Sequence, residues 1–216
     1  ATTLRIEHLV KRFEGLVAVN DLSIDVQERK IHALIGPNGS GKTTTLNLIN
    51  SVIPPTSGQI WFRDTLLTGK PTFETVKAGV GRTFQNIKLF SSMTVLENVM
   101  MGGQKDVSHN MLRFIVDLRG SHREERVLRE MACEVLDSIG MYHLRNETVD
   151  NLAYGRQKVC ELGRALMTTP QLILLDEPAA GMNPSETAEL MENIRTIRDT
   201  FKIAVLLIEH DMSLVM

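Results

Sequence analysis

The residues best suited to chemistry in this chain form one short loop. Eight consecutive residues match the pattern G-x-x-x-x-G-K-[ST], and they are Gly36, Pro37, Asn38, Gly39, Ser40, Gly41, Lys42 and Thr43. Glycines in such a loop let the backbone curl so that successive N–H groups point at phosphate oxygens. The lysine then reaches the β- and γ-phosphates, and the threonine hydroxyl holds Mg²⁺. The pattern predicts that these residues, with Thr44, bind a nucleoside triphosphate; the alternative is a glycine-rich turn with an unrelated lysine.

The segments on either side of the loop support the phosphate-binding interpretation. Residues 30–35 predict a buried strand, and residues 42–50 predict a helix. A phosphate loop needs this order, because the helix N-terminus supplies backbone N–H groups and a partial positive charge.

Two carboxylates follow a second predicted strand. The apolar run at residues 172–175 is followed by Asp176 and Glu177, at the edge of the sheet where open α/β folds bind ligands. We predict that Asp176 binds Mg²⁺, directly or through water, together with Thr43, and that Glu177 polarises an attacking water. This combination indicates a hydrolase, whereas the simpler interpretation is that the two carboxylates only end a strand.

A third predicted strand, at residues 203–208, places a histidine at the same edge. His210 follows it closely and is expected where the γ-phosphate lies, although a lone histidine is often structural. Between the two strands, Asn183 and Pro184 predict the start of a helix. Strand, helix and strand in this order predict a parallel α/β core.

The rest of the chain predicts two further parts. The first thirty residues alternate with period two around a turn at Glu14 and Gly15, which favours antiparallel strands, and a short strand is expected at residues 59–63.

From about residue 90 to 146 the strand signals vanish. Apolar residues from Val127 to Ile139 recur at helical spacing, and Gly140 follows as the residue that ends the helix. The segment therefore predicts a helical insertion. The charged residues 122–126 are interpreted as a solvated helix face, with a docking surface as the alternative.

Composition excludes several classes of protein. The net charge is −2 and the sequence pI is about 6.3, so no basic surface for nucleic acid is expected. Cys133 and Cys160 lack metal-ligand spacing and are expected to be packing thiols in a reducing compartment. No apolar run approaches the ~18 residues of a membrane span, and the first residues lack the apolar region of a signal peptide. Any membrane connection is therefore expected to run through a partner.

Five motifs in fixed order resemble those of the ATP-binding cassette (ABC) ATPases. They lie at residues 36–43, at Gln85, at residues 152–157, at residues 172–177 and at His210, and they span nearly the whole chain. The resemblance implies an α/β fold: a phosphate-loop NTPase core with an N-terminal antiparallel β subdomain and an inserted helical subdomain. It assigns residues 1–89 and 147–216 to the core and residues 90–146 to the helical subdomain.

The resemblance also implies roles that local patterns do not explain. Gln85 would sense Mg²⁺ and the attacking water, His210 would contact the γ-phosphate, and Phe13 would stack on adenine, the alternative for Phe13 being a core aromatic. In the signature motif, Ala153 and Gly155 would face the γ-phosphate of an ATP held by the other subunit. The implied cofactors are ATP and Mg²⁺.

Within the family, four strings are similar to the cassettes of branched-chain amino-acid importers, at residues 79–90, 93–99, 151–155 and 178–184. The likeness implies a peripheral ATPase at the cytoplasmic face of the membrane, driving separate permease subunits through cassette dimerisation without inserting itself. Importers of urea or short amides and ATPases of lipopolysaccharide export share much of this sequence, so the solute and the direction of transport stay open. A soluble ABC protein acting on ribosomes or DNA and a regulator without turnover are further alternatives.

Two features depart from the family pattern. The general signature has Ser where this chain has Ala153 and Gln where it has Arg156, so a hydroxyl that would donate to the γ-phosphate is missing. We therefore expect the second cassette to be a different chain with an intact serine. Family members also continue beyond the position of Met216. Either the sequence is a fragment or its end is not represented, and we expect the C-terminal elements of the family to be absent from the 216 residues.

Overall fold

The computed structural model describes residues 1–83, 87–103 and 118–210, and it gives only the backbone of residues 118–123. The chain divides into two compact units, of which the first comprises Ala1–Gln85 with Pro170–Met216 and the second Asn86–Thr169. The predictions for Gln85 and for the side chains of His122 and Arg123 lie outside the described residues.

The strands of the described residues belong to the first unit. They are β1 (Thr2–Phe13), β2 (Leu16–Gln27), β3 (Ile31–Ile35), β4 (Ser57–Phe62), β5 (Thr65–Leu66), β6 (Val80–Arg82), β7 (Leu172–Asp176) and β8 (Ala204–Glu209). Strands β2, β1, β4 and β5 form an antiparallel sheet in that order, and β3, β8, β7 and β6 form a parallel one. Both the antiparallel start of the chain and the parallel core are confirmed.

Burial differs along the parallel sheet. Every residue of β7 and β8 is buried, as their unbroken apolar runs predict for strands covered on both faces. The prediction that residues 30–35 form a buried strand is right about the strand and wrong about its burial. Among the described strands β3 pairs only with β8, and its residues are half-buried or exposed.

Six α-helices lie in the described part of the chain. They are α1 (Lys42–Ile49), α2 (Thr72–Ala78), α3 (Val95–Met101), α4 (Leu118–Ser138), α5 (Tyr154–Leu166) and α6 (Pro184–Phe201). Helix α6 begins as predicted, since the Asn183 side chain accepts from the Glu186 N–H and the Glu186 carboxylate accepts from the Asn183 N–H, both at 3.0 Å. This reciprocal cap satisfies two N–H groups that the helix itself leaves unpaired.

One apolar core joins both sheets of the first unit to α1. Ile6 of β1 and Leu206 of β8 belong to it together with Leu46 and Ile49 of the helix. Because Leu46 and Ile49 are fully buried, the hydrophobic effect anchors the helix that follows the predicted phosphate loop.

Helices α3, α4 and α5 form the second unit. Its buried apolar side chains include Val95, Val99, Ala132, Val135, Leu136, Ile139, Val159, Leu162 and Leu166. The helix predicted from the apolar pattern is confirmed within α4, and Gly140, which has φ +69°, follows its end as predicted. Val127, counted in the apolar pattern, is 45% exposed, because it lies beside the buried stripe rather than on it.

A buried asparagine organises the start of the second unit. Asn98 is fully buried on α3; its Oδ1 accepts from the Phe90 N–H at 2.8 Å, and its Nδ2 donates to the carbonyls of Phe90 at 3.0 Å and Thr94 at 3.1 Å. This one side chain thus holds the loop before α3 and supplies the acceptor for the Phe90 N–H.

The cysteines behave as packing residues. Cys160 is buried on α5 with its Sγ 4.0 Å from the Val95 carbonyl oxygen, and burial raises the pKa of its thiol to about 12. Cys133 on α4 is half-buried, and both thiols are free.

Candidate nucleotide-binding site

Three strands of the parallel sheet deliver the predicted site residues to one edge. Ile35 of β3 lies in register with Glu209 of β8, and Asp176 of β7 with Ile208. The phosphate-loop pattern, Glu177 and His210 follow these three strand ends directly. In parallel sheets this is the edge at which ligands bind.

The loop between β3 and α1 has the backbone that its glycines predict. Gly39 and Gly41 have φ values of +82° and +87°, which L-residues rarely adopt. A Cβ on Gly41 would also lie 2.1 Å from the carbonyl oxygen of Ala18 in β2. Glycine is therefore required at Gly41 for two reasons, and the antiparallel sheet packs directly against the loop.

Lys42 folds back over this loop. Its side chain is buried to 7% exposure, and its Nζ donates to the carbonyl oxygens of Gly36 at 2.6 Å and Pro37 at 2.9 Å. Pro37 itself, like the next three residues of the loop, is exposed. An ammonium held at the centre of an exposed turn is placed to meet an anion that enters the loop.

Thr43 and Asp176 meet although 133 positions separate them in sequence. The Thr43 Oγ1 donates to Asp176 Oδ1 at 3.3 Å, and Asp176 is 3% exposed. Hydroxyl and carboxylate oxygens are the hard ligands that Mg²⁺ prefers, and Mg²⁺ in phosphate sites commonly uses one or two protein groups besides phosphate and water. The donor set of this pair therefore fits the predicted metal.

Arg82 completes this cluster, and sequence reasoning missed its contact. Its side chain is 6% exposed, with Nη2 3.1 Å from Asp176 Oδ2 and Nη1 2.7 Å from Asn47 Oδ1. Arg82 ends β6, a three-residue strand that pairs with β7. The only sequence signal was its place three residues before Gln85, which does not reveal a strand pairing across about 90 positions.

Glu177 occupies a strained turn at the same edge. Its φ of +45° lies in the left-handed region, which costs a non-glycine residue about 1–3 kcal/mol and is found more often at functional sites. Its N–H donates to the Ile208 carbonyl at 3.2 Å. The turn thus lets the carboxylate of Glu177 leave the strand direction while the backbone stays tied to β8.

A second carboxylate, Glu209, is buried beneath this turn. It is 1% exposed, its Oε1 accepts from the Ala179 N–H at 3.4 Å, and its Oε2 lies 4.0 Å from Nδ1 of His210. Burial raises the pKa of Glu209, with a smaller contribution of the same sign from Glu177. The His210 side chain is 54% exposed, so it is open to a ligand.

The structure excludes the core alternative for Phe13. The ring is 43% exposed at the end of the β1–β2 hairpin, and the Lys11 Nζ lies 4.9 Å from its centroid. Its neighbours Leu16 and Val17 are also exposed. An exposed aromatic on the strand pair that contacts Gly41 is available for stacking.

The signature motif lies in the second unit at the start of α5. Ala153 is the residue before the helix and makes no side-chain cap, and Gly155 is buried in the first turn. Gln157 holds the motif, because its Nε2 donates to the carbonyls of Leu152 at 3.0 Å and Val149 at 3.3 Å. The Gln157 side chain thus fixes the backbone that leads into α5.

Side chains of the same helix also form hydrogen bonds with the loop that follows Gln85. Glu161 Oε1 accepts from the Lys88 N–H at 3.4 Å, and the Arg164 guanidinium donates to the Lys88 carbonyl. Glu161 is 2% exposed. Both contacts act on the backbone, so they fix the path of the loop whatever its side chains are.

The fold and the sheet-edge cluster define a phosphate-loop ATPase of the cassette type, and comparison with known proteins agrees. A model of the ABC transporter family matches residues 19–180. The chain therefore belongs to the ABC transporter family. A crystal structure of the ADP conformation of an ATP-binding cassette from an ABC transporter superposes with a TM-score of 0.85 at 32% identity, covering 100% of this chain and 84% of that one.

Two curated relatives are similar over almost the whole chain. The high-affinity branched-chain amino acid transport ATP-binding protein LivG of Salmonella typhimurium is 41% identical over 213 residues, covering 99% of this chain and 84% of the relative. The corresponding protein BraF of Pseudomonas aeruginosa is 39% identical over the same coverage. Among the described helices of this chain, none has the length and apolar character needed to cross a membrane.

Proposed function

We propose that this chain is the ATP-binding and ATP-hydrolysing subunit of an importer for branched-chain amino acids. The observation that carries the enzymatic part is the meeting of Thr43 and Asp176 at 3.3 Å beside the lysine-centred loop. The solute is proposed from the names of the LivG and BraF relatives.

ATP binding would exchange the partners of Lys42. Its ammonium, which now donates to two loop carbonyls, would turn to the β- and γ-phosphates, while the backbone N–H groups of residues 39–44 surround them. Mg²⁺ would be held by Thr43, Asp176 and Gln85, where it neutralises phosphate charge. Phe13 would stack on adenine from the exposed end of its hairpin.

Hydrolysis would use the two groups that follow β7 and β8. Glu177 would accept a proton from the attacking water, and His210 would donate a hydrogen bond to the γ-phosphate. Both residues follow neighbouring strand ends, so the sheet would present them to one ligand. Catalysis would rest on positioning and charge stabilisation, as in other phosphoryl transfers.

The complete site would require a second cassette. The N–H groups around Gly155 would act on an ATP held by the partner's phosphate loop. Ala153 offers no hydroxyl there, so we propose a different chain as partner, one whose serine completes the ATP site on this chain. Residues 90–146 would form the helical subdomain, which would dock to permease subunits at the cytoplasmic face of the membrane. Nucleic acid would not be a partner of the chain.

Substitution of the proposed base tests the enzymatic part. In the complex with permeases and partner cassette, Glu177→Gln should lower ATP turnover about 10²-fold or more, because an amide cannot take the proton, while ATP affinity stays unchanged. Glu192→Gln is the matched control, since that carboxylate is 70% exposed on α6. Near wild-type turnover by Glu177→Gln would exclude Glu177 as the base.

The partner is tested with the isolated chain. Sedimentation with ATP should find a monomer or weak dimer of low ATPase activity, and addition of the partner cassette and permeases should raise the rate above the sum of the parts. A tight ATP-dependent homodimer with full turnover would contradict the need for a second kind of cassette. Uptake of labelled leucine by the reconstituted complex, with urea as the competing solute, tests the substrate.

A further inference from the structure

The contact between Arg82 and Asp176 stands out because it buries a cation beside the proposed metal ligand. The two side chains are 6% and 3% exposed. An arginine is always charged, and a buried charge is tolerated only when it is paired. The contact therefore gives the buried guanidinium a hydrogen-bonded partner of opposite charge.

The guanidinium also gives the two carboxylate oxygens of Asp176 different partners. Oδ2 accepts from Arg82 Nη2 at 3.1 Å, whereas Oδ1 lies 3.3 Å from the Thr43 hydroxyl. Rotation of the carboxylate would break the contact with Arg82. The oxygen that remains beside Thr43 is thus the one that an ion shared with Thr43 would use.

Arg82 is itself fixed from a second side. Its Nη1 donates to the Asn47 Oδ1 at 2.7 Å, and Asn47 lies on α1, the helix that begins with Lys42 and Thr43. The fork of the guanidinium therefore links the Asp176 carboxylate to the helix that carries the other proposed Mg²⁺ ligand. A lysine has no planar fork with which to make both contacts in this way.

We propose that Arg82 is a positioning residue for the metal: through Asp176 Oδ2 and Asn47 it holds Asp176 Oδ1 in place for the Mg²⁺ of the nucleotide. The inference rests on the proposed Mg²⁺–ATP site and adds a residue outside the ligand set. Mg²⁺ demands nearly ideal octahedral geometry, so a carboxylate free to rotate binds it less well. Groups that orient metal ligands in this way change metal affinity 10–100-fold when they are replaced.

The test measures metal affinity separately from nucleotide affinity. Mn²⁺ replaces Mg²⁺ as a paramagnetic probe, and its binding to the ATP-bound chain is followed by electron paramagnetic resonance; ATP affinity in excess chelator is measured by calorimetry. Arg82→Lys should weaken Mn²⁺ binding roughly tenfold. Its ATP affinity, measured in excess chelator, should stay within about twofold of the wild-type value. Arg63→Lys is the matched control, because Arg63 pairs with Glu28 at the surface at 3.7 Å.

A second variant separates positioning from mere folding. Asn47→Ala keeps the Arg82–Asp176 pair but frees the other end of the fork, and it should weaken Mn²⁺ binding by a smaller factor in a chain with unchanged secondary structure. Unchanged or tighter Mn²⁺ binding in Arg82→Lys or, where that variant does not fold, in Asn47→Ala would overturn the inference. Failure of the wild-type ATP complex to bind Mn²⁺ would overturn the proposed metal site itself, and Arg82's role with it.

Discussion

The two units of this chain hold their functional segments by different means. In the first, the proposed ligand-binding groups follow parallel strands, so the register of β3, β7 and β8 fixes where they stand. In the second, the loop before α3 and the signature at α5 are held by the side chains of Asn98, Glu161 and Gln157, which bond to backbone groups. Many backbone hydrogen bonds hold each strand of the sheet, whereas each segment of the second unit depends on one or two side chains. Single polar substitutions should therefore disturb the second unit more than the first.

The largest effect is expected for Asn98→Ala. Removal of the amide leaves the Phe90 N–H without its partner, at about 1–3 kcal/mol. It also takes one of two donors from each of the Phe90 and Thr94 carbonyls, which keep their backbone donors, at about 0.5–1.5 kcal/mol each. We expect a loss of about 3 kcal/mol in the free energy of unfolding and faster hydrogen exchange at the Phe90 amide. Urea unfolding and exchange measurements check both.

Two observations would show that the Asn98 side chain does not hold the second unit in this way. One is a loss no larger than that of Asn146→Ala, an exposed asparagine in the same unit. The other is exchange that quickens equally in β7, which would mean that the substitution acts on the whole chain rather than on the second unit.

Phe13→Ala should have an intermediate effect, on binding rather than on stability. If the ring stacks on adenine, its loss should weaken ATP binding by about 1–3 kcal/mol, with little change in melting temperature because the ring is 43% exposed. Phe73→Ala is the control: that ring is 58% exposed on α2, with Lys77 Nζ 5.6 Å from its centroid. Equal ATP affinity in the two variants would leave Phe13 a surface aromatic without a part in binding.

The smallest effect concerns Glu209 and depends on pH. Burial raises the pKa of this carboxyl above its ordinary 4.5, so the folded chain binds the proton more tightly than the unfolded one. Stability should fall as pH rises from about that value through the raised pKa. Glu209→Gln keeps the acceptor for the Ala179 N–H and cannot ionise, so its stability advantage should grow from pH 5 to pH 8. An advantage that shrinks over this range in urea titrations would reverse the assigned sign.

The contrast between the units also explains what the sequence could predict. Strand ends and caps could be predicted, because Asp176, Glu177 and His210 follow apolar runs and Asn183 begins a helix with Pro184 next to it. The contacts of Arg82 and Asn98 could not, since each depends on which segments the fold brings together. The half-burial of β3 likewise follows from its place in the strand order, which an apolar run alone does not reveal. The types and positions of residues thus predicted the candidate site, whereas the contacts of Arg82 and Asn98 became visible only in the folded structure.

The most direct test of the account is calorimetric titration of ATP into Lys42→Ala. Loss of the ammonium removes a charge-assisted contact worth about 1.5–3 kcal/mol, so affinity should fall roughly ten- to hundredfold. Lys70→Ala should bind like wild type, because Lys70 pairs with Glu74 at 2.8 Å and its side chain is exposed. Unchanged ATP affinity in Lys42→Ala would contradict the assignment of the loop between β3 and α1 as the phosphate site.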